Sequence, residues 1–446
     1  MDNIPKILID NIVPLTGAVM VILFVLPYIW MHNRHSKKVK GRQKEAENFG
    51  LREPVSLHPK VNRDICIGSG ACIKACPEKE ILGTIHGKAE TVFASRCVGH
   101  GACARACPVG AIELVFGTEK RGVDIPQVFP NFETNVPRIF IAGELGGMGL
   151  IRNAMLQGQE AVQYIAEDLK ELGSSKKPDV YDLIIVGAGP AGLAASLQAK
   201  ASNLKYITLD QESSFGGAIL SYPRAKIVMT SSVKVPLYGN VKLKEMSKES
   251  LLDVWNDIVD KTGIVVDGGE KVEEAKSADG NFIVKTNKRT LKTRFLLLSI
   301  GRRGSPRKLG VPGEKLPKVM YRLLEPEKYQ NNKIIVVGGG DSAVEAAVAL
   351  GSQLGNQVDL SYRKESFARI KEGNRTRLNE AVKTGKVKLV MSSNVIEIKK
   401  ESVVLEQGGK TSELPNDYVF VFAGGELPND FLRKVGIEIE TKFGTR

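Results

Sequence analysis

All six cysteines of this 446-residue chain fall between Cys66 and Cys107, in two runs that repeat each other. CIGSGACIKACP begins at Cys66 and CVGHGACARACP at Cys97, so the cysteines correspond as 66 to 97, 72 to 103 and 76 to 107. Each run closes on Cys-Pro. A secreted disulfide scaffold would be short and would spread its cysteines along the fold. Thiolates packed this closely are soft ligands suited to iron and sulfide. Zinc is a rival, although it usually takes C-x2–4-C pairs and neither run has one. A fold that has lost its metal is the other alternative.

The repeat resembles the two-cluster bacterial ferredoxin fold, whose pattern is C-x2-C-x2-C-x3-C-P, with the last cysteine of each run serving the other cluster. The resemblance implies that Cys66, Cys72 and Cys107 hold one cluster and Cys97, Cys103 and Cys76 the other. Ser69 and His100 stand where the second cysteine of each run belongs. Each cluster would then be a [3Fe–4S] group needing no fourth ligand, a [4Fe–4S] group completed by serine or histidine, or one with water on the fourth iron. Imidazole is a good iron ligand, so His100 is expected on the second cluster. A serine hydroxyl must ionise before it binds well, and the first cluster is expected to be [3Fe–4S].

Two glycine-rich turns suggest dinucleotides. DLIIVGAGPAG, from Asp182 to Gly192, reads as a buried parallel strand entering G-x-G-x-x-G. Gly187, Gly189 and Gly192 permit a tight turn and close approach of a pyrophosphate, with Pro190 and Ala191 opening the helix that receives it. Asp210, followed by Gln211, ends the next strand and could accept hydrogen bonds from ribose hydroxyls. KIIVVGGGDSAVEAA starts a second unit at Lys333, with Gly338, Gly340, Asp341, Ser342 and Ala343 at its turn. Its second strand ends in Ser361 rather than an acid, and Arg363 and Lys364 follow. Losing the carboxylate and gaining cations suits a 2′-phosphate, hence NADPH in preference to NADH. An ordinary basic surface, Arg369 included, is the alternative.

Two such units in one chain resemble the thioredoxin reductase-like flavoproteins, in which the first binds FAD and the second NADPH. The resemblance runs from about Gly117 to the C-terminus. It implies that Phe215, Gly216 and Gly217 form the loop beside the isoalloxazine, that Gly301 lies where the chain crosses into the nucleotide domain, and that Glu345 approaches the nicotinamide. The family closes its FAD domain at the C-terminus with a stretch like T-x-V-P-x-I-F-x-A-G-D. Here the equivalent, ETNVPRIFIAGELGG, comes first, with Gly143 and Glu144 at its end. The implied history is a circular permutation that places the closing segment directly after the cluster domain. The family's C-x-x-C before the second turn is absent, and no thiol exists outside Cys66–Cys107, so an enzyme dithiol is excluded.

The elements that must position these residues are α/β: two Rossmann-like domains for FAD and NADPH, a small α+β ferredoxin-like domain and one N-terminal transmembrane helix. The expected divisions are 1–34 anchor, 35–60 basic linker, 61–116 ferredoxin-like, 117–172 permuted closing part, 173–305 FAD-binding, 306–424 NADPH-binding and 425–446 return. Asn11 to Met31 carries no charge, and 21 such residues rise about 30 Å as a helix. Arg34, Lys37, Lys38, Lys40, Arg42 and Lys44 follow it and supply a large part of the +13 net charge. By the positive-inside rule, a single-pass anchor would leave the catalytic body on the cytoplasmic face. A signal peptide would need a small-residue cleavage site, and Tyr28, Trp30 and Met31 argue against one; a buried core helix is the remaining rival. No nucleic-acid recognition motif accompanies the charge.

The parts specify a membrane-anchored NAD(P)H oxidoreductase, with electrons passing between NADPH, FAD and two iron–sulfur clusters. No side chain is needed as a catalytic acid, base or nucleophile. The far partner is expected to be a quinone, a membrane protein or a ferredoxin, and a homodimer is left open. The alternatives are a reductase of a small disulfide with structural clusters, and a redox-sensing or assembly subunit.

Overall fold

The computed structural model describes the chain except residues 1–15, 18, 49–53, 55–56, 79, 120–121, 148, 174–177, 223–226, 229–231, 243–244, 303–305, 368–369 and 445–446. Two compact units divide it. The first holds residues 1–121 with 444–446, and the second 122–443.

The first unit has the pseudo-symmetry its repeat demands. Each cysteine run turns through glycines and enters a short helix, Ala71–Ala75 or Ala102–Arg105. Gly70 and Gly101 precede these helices with the same backbone, φ 69° and ψ 2°. Strand His58–Val61 pairs antiparallel with Ile112–Val115, and Leu82–Ile85 with Lys88–Thr91. A helix preceded by a π-type turn at Val21–Val25 runs on from Leu26 to Asn48. Residues 35–48, expected as linker, are therefore helical. The reason is a buried stripe: Ser36, Val39 and Ala46 face the cluster fold while Lys37, Lys38, Lys40 and Lys44 face solvent. The large apolar side chains from Val19 to Met31 are exposed. Among the described residues no helix is long and apolar enough to cross a membrane. The expected span began at Asn11, and residues 11–15 and 18 lie outside the described residues.

The second unit contains two parallel-sheet domains. In the first, strand Thr290–Leu298 lies beside Val180–Val186, which lies beside Tyr206–Leu209, all parallel. Their apolar ends, Leu183–Val186 and Phe295–Leu298, are buried on both faces. Helices Ile151–Leu172 and Pro190–Ala201 cover one side, and the antiparallel strands Val272–Ala278 and Asn281–Thr286 with helix Asn429–Val435 cover the other. Strand Ile139–Ile141 precedes the glycine turn in sequence, yet pairs parallel with Leu296–Leu298. Helix Ile151–Leu172 then packs on helix Pro190–Ala201. The closing segment thus completes the domain from the front of the chain, as a permuted order requires. At the other end, Ile439–Lys442 pairs antiparallel with Val123–Pro126. In the first unit, the Gly444 amide donates to the Phe116 carbonyl at 2.8 Å. The chain's last described residues therefore return beside Phe116, next to Gly117 where the flavoprotein resemblance begins.

The second domain's sheet runs Val319–Met320, Tyr418–Val421, Lys333–Val337, Gln357–Tyr362, Val387–Met391, all parallel. A three-stranded antiparallel sheet, from Ser393 to Pro415, packs against it.

Candidate functional site: two glycine cradles and two cysteine triads

At the first cradle, Gly187 turns with φ +100°, and a Cβ there would lie 2.6 Å from the Ser299 carbonyl oxygen. At Gly192 a Cβ would lie 1.8 Å from the Gly187 oxygen, which is the close helix–strand packing expected of the third glycine. The loop of Phe215, Gly216 and Gly217 folds onto this turn. The Gly216 amide donates to the Ala188 carbonyl at 2.8 Å, and a Cβ on Gly217 would sit 2.9 Å from the Gly189 Cα. Gly143 joins from the permuted segment, with a Cβ position 3.0 Å from the Ala191 Cβ. Its amide donates to Gln157 Oε1 at 2.8 Å. Four stretches distant in sequence therefore meet around the start of helix Pro190–Ala201, with room that only glycines leave. A flavin dinucleotide fits this cradle, its pyrophosphate facing the helix N-terminus.

Asp210 is buried and already engaged: Oδ2 accepts from the Ala188 amide at 2.6 Å and Oδ1 from the Glu212 amide at 2.8 Å. Burial pushes its carboxyl above the usual value, and those two amides pull it back. Each oxygen keeps a lone pair for a ribose hydroxyl. Gln211 beside it is exposed, and Gly301 is half-buried with φ +67°. Sequence reasoning missed three neighbours. Ser299 donates to the Val186 or Gly187 carbonyl, at 2.9 and 2.8 Å, and ties down the turn. Arg302 donates to the Asp124 carbonyl at 3.0 Å. Burial pushes its guanidinium below the usual value, opposed by Glu144 and Asp124, which places a cation near half-buried Glu144. Arg322 pairs with Glu212 at 2.8 Å and holds that carboxyl down. None belongs to a short motif; only the serine's place at a strand end hinted at its role.

At the second cradle, Gly338 has φ +150°, and a Cβ there would meet the Phe422 oxygen at 2.5 Å. Gly340 faces open space. Asp341 Oδ1 accepts from the Lys371 amide at 2.8 Å and from Asn374 Nδ2 at 2.7 Å, and the same amide group reaches Glu345 Oε1 at 3.0 Å. Asn374 therefore fixes both acids. Ser342 is exposed and Ala343 fully buried. Ser361 is buried, its hydroxyl 2.8 Å from that of Ser393, so it is committed to the core. Arg363 and Lys364 stand exposed just past it. Arg369 lies outside the described residues. A dinucleotide fits here too, with Arg363 and Lys364 available to a 2′-phosphate.

The cysteines form two crossed sets. Cys72 lies in the electrostatic field of Cys66 and Cys107, and Cys97 in that of Cys103 and Cys76. All six are free thiols. Among the described residues no three His, Cys, Asp or Glu side chains converge as on a single metal ion. Instead Cys66, Cys72 and Cys107 ring a small, partly open hollow, which Ser69, Thr84 and Ala89 also line. Backbone amides point at the sulfurs: Ala89 at Cys66 (3.4 Å), Ala111 at Cys107 (3.2 Å) and Gly99 at Cys97. Burial pushes Cys97 up to about 11 and raises Cys72 and Cys103, so without a cationic cluster these sulfurs keep their protons. Amide donors around soft ligands fit iron–sulfur clusters. Ser69 and His100 hold equivalent positions in the two repeats, and Ser69 lines the hollow with its three cysteines. His100 is half-exposed, and its carbonyl accepts from Arg105 at 3.2 Å.

Comparison with known proteins agrees with both halves. The pyridine nucleotide-disulphide oxidoreductase family matches residues 184–444, and a 4Fe–4S dicluster domain matches 58–108. A bacilliredoxin reductase of Bacillus subtilis is 28% identical over 58% of this chain and 82% of its own length. A ferredoxin–NADP reductase of Ignicoccus hospitalis is 27% identical over 58% and 83%. Among solved structures, a bacillithiol disulfide reductase of Staphylococcus aureus superposes with TM-score 0.53 at 27% identity, over 59% of this chain and 82% of that one.

Proposed function

Since the chain belongs to the pyridine nucleotide-disulphide oxidoreductase family and carries a 4Fe–4S dicluster domain, we propose that it is a membrane-anchored, NADPH-dependent flavoprotein that passes electrons between FAD and two iron–sulfur clusters of its own. The clusters serve a bilayer-bound acceptor, a quinone or a membrane protein. One observation carries this reading: the flavin-binding unit contains no cysteine, while all six lie within the residues that match the dicluster domain. The two-electron equivalent taken from a nicotinamide has no dithiol to receive it, and the cluster domain is the redox-capable part of the same chain. Flavin, when bound, joins two-electron to one-electron chemistry. A relative named as a ferredoxin–NADP reductase supports the same direction, since here a ferredoxin-like module is joined in sequence to the segment bearing Gly143 and Glu144.

The protein's own residues hold and orient. The two glycine cradles seat the dinucleotides, and Asp210 anchors a ribose. Arg363 and Lys364 select the 2′-phosphate, and Cys66, Cys72, Cys107 and Cys97, Cys103, Cys76 hold the clusters. We assign His100 as fourth ligand of the second cluster and a [3Fe–4S] state to the first. The exposed apolar helix residues and the cations after them support attachment to a membrane, with the catalytic body on the cytoplasmic face. The test is NADPH-dependent reduction of a one-electron dye and of a quinone, in wild type and Cys103→Ala. Loss of quinone reduction with flavin content intact supports the wiring. Full quinone reduction without the second cluster would leave reduction of a small disulfide, suggested by the bacilliredoxin reductase likeness, as the better reading.

A further inference from the structure

The helix that ends at Asn48 has two consecutive surfaces, and their spacing fixes which cluster lies nearer the membrane. From Val19 to Met31 its large side chains are exposed, Phe24 by 63% and Trp30 by 61%. Arg34 sits over the Trp30 ring at 5.3 Å, a pair suited to the boundary between hydrocarbon and headgroups. Arg34, Lys37, Lys38 and Lys40 are exposed along the next two turns. The opposite face of those turns is clamped to the cluster fold. Ser36 Oγ accepts from the His86 amide at 3.2 Å, and Val39 packs so closely on Gly83 that a Cβ there would lie 2.6 Å from it. Arg42 pairs with Glu80 at 2.5 Å.

From Met31 to Ser36 is five residues, a rise of about 7.5 Å, comparable to one headgroup layer of about 5–8 Å. The first part of the cluster fold to meet the helix is therefore the hairpin Leu82–Thr91, at headgroup level. Thr84 and Ala89 of that hairpin line the hollow ringed by Cys66, Cys72 and Cys107, and the Ala89 amide points at the Cys66 sulfur.

We infer that this helix seats the hairpin on an anionic lipid surface, with the Cys66, Cys72 and Cys107 site as the membrane-proximal cluster. The inference rests on the membrane attachment proposed above and adds the lipid charge and the order of the clusters. A lipid surface is favoured over a protein groove because apolar and cationic stretches follow each other along one helix, as hydrocarbon and anionic headgroups do across a bilayer.

The experiment uses the full-length holoprotein with vesicles of phosphatidylcholine alone and of phosphatidylcholine with phosphatidylglycerol. Each basic residue near an anionic surface contributes about fivefold, so Lys37→Glu/Lys38→Glu/Lys40→Glu should weaken binding to the anionic vesicles by about 100-fold or more. Iron content should be unchanged. Binding to both vesicle types with equal strength, unaffected by charge reversal, keeps the anchor and overturns this inference. Binding to neither sinks both readings, as does burial of Trp30 by self-association or a protein partner without lipid. The order of clusters has its own readout: a lipid-headgroup gadolinium chelate should speed electron-spin relaxation most for the signal lost in Cys72→Ala. Stronger relaxation of the signal lost in Cys103→Ala would overturn it.

Discussion

Replacing Gly158 by alanine tests whether the segment that precedes the glycine turn in sequence closes the flavin domain in space. Gly158 lies in helix Ile151–Leu172, where a Cβ would sit 2.1 Å from the Ala191 carbonyl oxygen and 2.9 Å from its carbon. An ordinary carbon–oxygen contact is about 3.3–3.6 Å, so the two helices must separate by about 1 Å. Both partners are backbone, and Ala191 belongs to the first turn that receives the pyrophosphate, so neither side can rotate away. Overpacking of this kind costs about 1–3 kcal/mol. Alanine's better helix propensity returns about 1 kcal/mol. With rigid neighbours the upper end applies, leaving a net loss of about 1–2 kcal/mol, or roughly 5–30-fold in an equilibrium. Purified Gly158→Ala should carry less FAD per polypeptide and bind added FAD about tenfold more weakly by flavin-fluorescence titration, while iron content stays at wild type. Gly41→Ala, in a helix and with no atom within 4 Å of the new methyl, is the control and should leave FAD unchanged. FAD binding by Gly158→Ala as tight as wild type would refute the close helix contact and the domain closure built on it.

Arg363→Ala/Lys364→Ala should raise the KM for NADPH by tenfold or more, the scale of one lost charge-assisted hydrogen bond, and leave that for NADH unchanged; equal changes for both nucleotides would discard the 2′-phosphate assignment. Ser69→Cys gives the first site a fourth thiolate, so the oxidised-state electron paramagnetic resonance of [3Fe–4S] expected in wild type should disappear and a reduced-state [4Fe–4S] signal gain intensity. Silence of wild type in both states would remove the cluster assignment altogether. Glu270 is buried, and though burial alone would push its carboxyl up, Arg289 and Thr286 hold it below the usual value. A depressed folded-state carboxyl stabilises above its unfolded value near 4.5 and loses that contribution as pH falls through the folded one. Glu270→Gln should therefore cost about 1.5–3 kcal/mol at neutral pH and show a shallower fall in Tm below pH 5 than wild type; parallel acid limbs would contradict this.

Much of the site was legible because its chemistry is local. A glycine turn between a strand and a helix is a short-range device, and so are three cysteines within eleven residues. Gly187, Gly189 and Gly192 are positioned by the chain immediately around them. The residues that were not legible act across long separations. Ser299 ties a turn more than a hundred positions earlier, and Asn374 steadies Asp341 and Glu345 from another helix. Ser361 shows the converse, since its place in a sequence count suggests a nucleotide contact but its neighbour Ser393 takes the hydroxyl inward. The basic segment after the apolar run read as linker because charge hides a stripe of only Ser36, Val39 and Ala46.

The amino-acid sequence by itself determined the cofactor classes and the absence of a dithiol, because ligand identity, glycine spacing and cysteine count are properties of the covalent chain. It also carried the unusual order of the flavin domain, since the closing motif is recognisable wherever it stands. Only the tertiary structure decided that the order closes, through the Ile139–Ile141 pairing and the Gly158 contact, because adjacency across a sheet depends on which strand edges are left to pair. It likewise decided that the cysteines sort into crossed triads and that the Leu82–Thr91 hairpin meets both the helix and one cluster hollow. Those are facts of packing, where two surfaces remote in sequence must fit at atomic distance.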